Sequence, residues 1–149
     1  MTTHALATAP DFTPTVGHAE DGDTAALVRL WQEAGLTRPW NDPQADIALA
    51  RRGPHSTILV ARHAGAVIGS VMVGHDGHRG WIYYLAVDGA HRGRGLGRAL
   101  SRAAEDWLKA RAVPKLMLLV RPENTAVRAF YEREGFIEEP RVIFSKRLD

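Results

Sequence analysis

The 149-residue chain contains no cysteine. That absence removes disulfide staples, thiolate metal ligands and a cysteine nucleophile together. No apolar run approaches the ~18–20 residues needed to cross a bilayer, so a membrane partner is not expected. The opening stretch, MTTHALATAPDF, has no Lys or Arg ahead of an apolar segment and does not read as a secretory signal. A charge excess is missing as well. Nineteen basic residues stand against 17 acidic ones, a net charge of +2, too even for a surface that binds nucleic acid throughout. Repeats, low-complexity tracts and internal linkers are absent too. What remains is one ordinary globular domain over residues 12–149, expected in the cytoplasm, with the Ala/Thr-rich residues 1–11 as a flexible arm.

What is present is periodicity. After Asp21-Gly-Asp-Thr, with Asp21 or Asp23 as cap, Leu27, Leu30, Trp31 and Ala34 repeat at helical spacing until Gly35. LTRPWNDP (36–43) reads as a loop. A short helix follows, with Ile47, Ala48 and Ala50 as its apolar positions. STILVAR (56–62) and AVIGSVMVG (66–74) are β-branched runs joined across His63-Ala64-Gly65, a hairpin. HDGHRG (75–80) is a turn, and WIYYLAV (81–87) a third strand, expected to be buried on both faces. A helix then keeps Leu96, Ala99, Leu100, Ala103, Ala104, Trp107 and Leu108 on one side. KLMLLV (115–120) is an apolar strand expected at the centre of a sheet. NTAVRAFYERE (124–134) is a last helix and RVIFSKR (141–147) a last strand. The order of elements is that of an α/β domain with a strand–helix–strand unit at its middle.

Between the third strand and its helix lies HRGRGLGRAL (91–100), three glycines and three arginines together. Around it Arg92, Arg94, Arg98, Arg102, Lys109 and Arg111 face only Glu105 and Asp106 in sequence, which suits a local anionic partner. Glycines let backbone N–H groups approach a phosphate, and a helix N-terminus adds a favourable dipole. Two phosphate cradles fail on spacing. No Lys follows these glycines as a P-loop requires, and Gly93, Gly95 and Gly97 alternate instead of spelling G-x-G-x-x-G.

The run Arg92-Gly93-Arg94-Gly95-Leu96-Gly97, an R-x-x-G-x-G between strand and helix, resembles the acyl-coenzyme A signature of the GNAT acetyltransferase superfamily. YYLAVDGAHRGRGLGRAL resembles its fourth strand, pyrophosphate loop and following helix. LMLLVRPENTAVRAFYEREGF resembles its fifth strand and the helix behind it. RPWNDP and DGHRG are further similar to the YpeA-like bacterial branch. The resemblance implies a mixed, mainly antiparallel central sheet flanked by helices, whose splayed parallel central strands form an acyl-CoA cleft. It implies acetyl-CoA as co-substrate, an amine acceptor and no metal.

Residue by residue, the resemblance assigns the backbone of Leu85, Ala86 and Val87 to pantetheine, with the Leu85 amide polarising the thioester carbonyl. Arg92, Gly93, Arg94, Gly95, Leu96, Gly97 and Arg98 hold the pyrophosphate. Asn124, Ala126 and Phe130 lie along the cofactor, and Tyr131 gives a proton to the departing thiolate. Asn124 and Tyr131 are seven residues apart, about 20° in azimuth on a helix. Asn124 is equally suited to an N-cap, and Tyr131 to a core aromatic with its hydroxyl at the surface. Arg38, Trp40 and Tyr83 fall on the acceptor side.

One departure matters. Members that acetylate protein N-termini often carry a glutamate two residues before an arginine on the fifth strand; here the arginine is Arg121 and the position is Leu119. Asp76 and His78 are then candidates for the base, with Asp46 and Glu33 behind them, each with a plainer reading as a solvated surface group. His75 and His78 read as a turn pair and not as metal ligands. The expected activity is direct acetyl transfer from the thioester to a primary amine of a small molecule, peptide or protein. The alternative is a non-catalytic acyl-CoA-binding sensor. A nucleic-acid binder using the basic stripe is a third reading, though no base-reading module accompanies it. The exposed face of the last strand is a candidate homodimer contact.

Overall fold

A computed structural model describes residues 12–149; the expected arm, residues 1–11, lies outside the described residues. The chain divides into two compact units, one ending at Leu118 and the other spanning Leu119–Asp149. The first carries β1 (Thr15–His18), α1 (Thr24–Glu33), α2 (Pro43–Arg52), β2 (Ser56–His63), β3 (Ala66–His75), β4 (Gly80–Val87), α3 (Leu96–Lys109) and β5 (Leu116–Met117). Its sheet has the order β1-β2-β3-β4-β5, antiparallel throughout except for the parallel β4–β5 pair. The expected mixed, mainly antiparallel sheet is therefore present. Among the described residues, no helix is long and apolar enough to cross a membrane.

Alternation along the strands divides the core in two. Ile58 and Val60 of β2 pack with Leu27, Leu30 and Trp31 of α1 and with Ile47 and Ala50 of α2. Full burial of each such aliphatic side chain is worth roughly 1.5–3 kcal/mol. The opposite face receives α3. A Cβ at Gly69 of β3 would meet Leu100 Cδ1 at 2.9 Å, so α3 lies directly on this strand. Leu96, Leu100, Ala104, Trp107 and Leu108 are buried there, as expected, but Ala99 is exposed and Ser101 takes the next inward position. On α2, Ala48 is likewise exposed while Ile47 and Ala50 are buried.

Local chemistry sets the helix ends. Asp42 caps α2, accepting from Gln44 N at 3.0 Å and Ala45 N at 3.2 Å, with Pro43 at the first helical position. Asp23 makes no side-chain cap bond to α1. Its carboxylate turns back to accept from Glu20 N at 2.8 Å and takes the Arg62 guanidinium bidentately, at 3.0 and 2.6 Å. This ties the start of α1 to β2, and the guanidinium beside Asp23 holds its carboxyl below the ordinary range.

Three expectations about the strands change, and one strand is additional. Thr15–His18 is a strand although its sequence, TVGH, shows no buried alternation; all four residues are exposed and pairing with β2 alone defines it. The β5 ladder covers Leu116 and Met117 only and ends the sheet instead of occupying its centre. Apolar character alone does not distinguish a central strand from an edge. β4 is not buried on both faces, since Tyr83 is 47% exposed. Finally, residues 141–147 form no strand; Val142, Ile143 and Phe144 are exposed, three consecutive apolar residues without a period-2 pattern.

β4 also carries a bulge. Ser70 pairs with Ala86 and Met72 with Tyr83, so Val71 alone opposes both Tyr84 and Leu85. Tyr84 has φ +52, a left-handed conformation that costs an ordinary residue about 1–2 kcal/mol.

In the second unit α4 (Thr125–Arg133) starts at Asn124, whose side chain accepts from Val127 N at 3.3 Å.

Candidate active site

The turn between β4 and α3 is built for close backbone approach. Gly93 and Gly95 have φ +77 and +78, and no atom lies within 4 Å of a Cβ placed on either. Both are glycine for their conformation, not for lack of room. Gly95 opens α3 in that left-handed state, and no side chain caps the helix. The turn is steadied from outside. His91 Nδ1 lies 2.7 Å from Asp88 Oδ2, the His91 ring stacks on Phe12, and the Arg94 guanidinium sits 4.6 Å over the Phe12 ring. Arg94, though exposed, therefore rests over an aromatic ring.

Beside the turn is a cavity of about 310 Å³ lined by Leu30, Glu33 and Ala34 of α1 and by Val87, Asp88, Gly89 and Arg92. It brings together three residues singled out from the sequence: Val87, Arg92 and Glu33. The β4–β5 register covers only Gly80–Leu116 and Trp81–Met117. From Ile82 onward, β4 has no β5 partner in the ladder, which includes Leu85, Ala86 and Val87.

The other side of the bulge is held by side chains far apart in sequence. The Tyr84 ring stacks on Trp31, 3.8 Å between centroids and 9° between planes. Its hydroxyl donates to Asp46 Oδ2 at 2.8 Å. Burial first, and then the Asp46 carboxylate, push the Tyr84 phenol well above its ordinary range. The fully buried Ser70 accepts from Trp31 Nε1 at 2.8 Å and donates to the Tyr84 carbonyl at 2.9 Å. Asp46 thus belongs to a network and is not a solvated surface group. No short motif announces that network, because its members are up to 53 positions apart in sequence, from Trp31 to Tyr84.

The remaining acceptor-side residues are placed as follows. Asp76 Oδ1 accepts from His78 N at 2.9 Å and Arg79 N at 2.7 Å, and Oδ2 from Trp81 Nε1 at 3.3 Å. These donors hold its carboxyl below the ordinary range and lower its affinity for a proton. His78 is exposed. Tyr83, on the β4 position paired with Met72, has its phenol pushed up by partial burial and by the Asp76 charge. Arg38 donates to the carbonyls of Gly35 and Thr37 at 2.8 and 2.9 Å, sealing the end of α1. Trp40 is 60% exposed. Among the described residues no three metal-ligating side chains come together; His75 instead meets His55 edge-on, 5.2 Å between rings.

In the second unit Tyr131 is the buried residue of α4, with Phe130 and Phe136 edge-on at 5.0 and 5.3 Å. Burial pushes its phenol up to about 12.

Comparison with known proteins places the chain among acetyltransferases. The model of the acetyltransferase (GNAT) family matches residues 24–136. An acetyltransferase of Yersinia enterocolitica is 42% identical over 129 residues, 87% of this chain and 92% of that protein. A solved acetyltransferase of Trypanosoma brucei is 26% identical, with a TM-score of 0.69 over 92% of this chain and 99% of that one. An aminoglycoside N-acetyltransferase solved in complex with CoA shares the fold at 18% identity, with a TM-score of 0.79 over 92% of this chain and 96% of that chain.

Proposed function

Because the chain belongs to the GNAT acetyltransferase family, we propose that it transfers an acetyl group from acetyl-CoA directly to a primary amine. The observation that carries this reading is the Gly93–Gly95 turn opening an uncapped α3, beside the stretch of β4 that its ladder with β5 does not cover. Backbone N–H groups from Arg92 to Arg98 take the pyrophosphate, aided by the α3 dipole. The Leu85–Val87 backbone takes the pantetheine arm, and Asn124, Ala126 and Phe130 are further cofactor contacts.

In the reaction the amine nitrogen attacks the thioester carbon. The Leu85 N–H stabilises the oxygen as it becomes negative. The carbon–sulfur bond then breaks, the Tyr131 hydroxyl protonates the leaving thiolate, and the amine gives its surplus proton to His78 or to water. Asp76 is the weaker candidate for that last role, since its turn bonds already lower its basicity. Without a dedicated base, the acceptor is an amine already partly neutral, such as an α-amine with a pKa of about 7.7–8.0, ahead of a lysine at about 10.4. Arg38, Trp40 and Tyr83 border the acceptor.

The test is a thermal-shift titration with acetyl-CoA, CoA and ATP, followed by thiol release with a panel of amines. At 100 times Kd a native-state ligand adds about 2.7 kcal/mol of stability. Saturable stabilisation by both CoA species and not by ATP is expected. No shift with either CoA species rejects the reading.

A further inference from the structure

Ser70 is completely buried, and a smaller apolar residue fills such a place with less to satisfy. Its hydroxyl is instead used twice. It accepts from the Trp31 indole N–H at 2.8 Å and donates to the Tyr84 carbonyl at 2.9 Å. The Tyr84 carbonyl and the Leu85 N–H belong to one planar trans peptide, where C=O and N–H point in opposite directions. Holding one therefore aims the other.

The plane needs holding. It lies in the bulge, where Val71 opposes two residues and the regular ladder cannot set its direction. Tyr84 has left-handed φ without being glycine, a state that persists only where the surroundings over-determine it. Trp31 supplies two of the constraints, the donor to Ser70 and the stacked ring beneath Tyr84; Asp46 supplies a third by accepting the Tyr84 hydroxyl.

We propose that Ser70 is a positioning residue, whose hydroxyl, oriented by Trp31, fixes the Tyr84–Leu85 peptide plane and so aims the Leu85 N–H at the acyl carbonyl. The inference rests on the assignment of that N–H made above. Ser70 touches no cofactor; it acts through the peptide plane.

The test compares acetyl-CoA with S-ethyl-CoA, which has the same reach but no carbonyl, by calorimetric Kd. One net hydrogen bond to the carbonyl gives the wild type about a three- to tenfold preference for acetyl-CoA. In Ser70→Ala the preference falls to near one while the S-ethyl-CoA Kd stays within about twofold of wild type, as expected for one lost hydrogen bond. A purely structural role moves both affinities together and leaves their ratio intact, which overturns the proposal. Should Ser70→Ala fail to fold, Trp31→Phe carries the same test, since it keeps a ring beneath Tyr84 while removing the donor to Ser70 together with part of the indole's volume. A wild type that binds acetyl-CoA and S-ethyl-CoA equally overturns the Leu85 assignment and this inference with it. A wild type that binds neither rejects the acetyl-CoA reading itself.

Discussion

Tyr131 is packed by Phe130 and Phe136, and its phenol is pushed up to about 12. A group with a raised pKa keeps its proton below that value, so the acid form is present throughout the neutral and mildly alkaline range. The pH profile of kcat/KM is therefore expected to rise as the acceptor amine loses its proton and to show no descending limb from this phenol until pH approaches 12. A descending limb near 9 or 10 assigns the acid to an ordinary exposed group instead. Tyr131→Phe keeps the ring and loses only the hydroxyl. It is expected to lower kcat by about 10²–10⁴-fold, the usual contribution of a positioned acid, while the KM for acetyl-CoA changes little. Steady-state thiol-release kinetics read both. At the turn, Gly95→Ala forces a methyl-bearing residue into φ +78, costing about 1 kcal/mol. It is expected to weaken CoA and acetyl-CoA equally, because the pyrophosphate is common to both. Thermal melts and calorimetry separate the two effects.

At the scale of elements, the start of α2 carries a side-chain cap. Asp42→Ala removes the α2 cap and is expected to cost about 1 kcal/mol in a denaturant melt, with the slope of the transition unchanged. What was legible from sequence follows from how far each interaction reaches. The α2 start, the β2–β3 hairpin and the glycine turn are specified by residues within a few positions of one another. The hairpin turn at Ala64-Gly65 has positive φ at both residues, which is the geometry that short two-residue turns favour. β1 was not legible, because TVGH becomes a strand only when β2 offers it a ladder. β5 and residues 141–147 were misjudged for the complementary reason, since apolar composition proposes a strand and only a partner completes it. The site divides the same way. The Gly93–Gly95 turn is local, and its glycine pattern is legible within a few residues. Asp46 was named only as a distant candidate, and Ser70 was not named at all. Their roles depend on a one-residue bulge and on α1 packing against β3, which no window of sequence contains.

For the molecule as a whole, acid sensitivity should centre on the Asp23–Arg62 pair. The Asp23 carboxyl is held below its ordinary value, first by its hydrogen bond to Arg62. A depressed folded-state pKa contributes stability that is complete above the unfolded value, about 3.9, and is lost as pH falls through the folded one. Asp23→Asn is expected to remove that acid-range slope and to cost about 2 kcal/mol at neutral pH, the worth of hydrogen bonds to a charged group. Urea melts between pH 3 and 7 check both; an unchanged slope shows that the pair does not govern acid unfolding.

The sheet's strand order, β1-β2-β3-β4-β5, also sets a sequence in time. The β2–β3–β4 meander needs only two short loops to close, so it can form early at little entropic cost. β1 and β5 must each wait, one for α1 and α2 to be spanned and the other for α3. The bulge and its Ser70 belt lie inside that early meander, whereas Trp31 arrives with α1. The peptide plane of Tyr84 and Leu85 would therefore be drawn up roughly during the first step and locked only at the second. Substitutions at Val71 are expected to slow refolding, and those at Leu116 to quicken unfolding, in stopped-flow chevrons. The part of the chain that aims the chemistry would then be among the first to take shape and among the last to be made rigid.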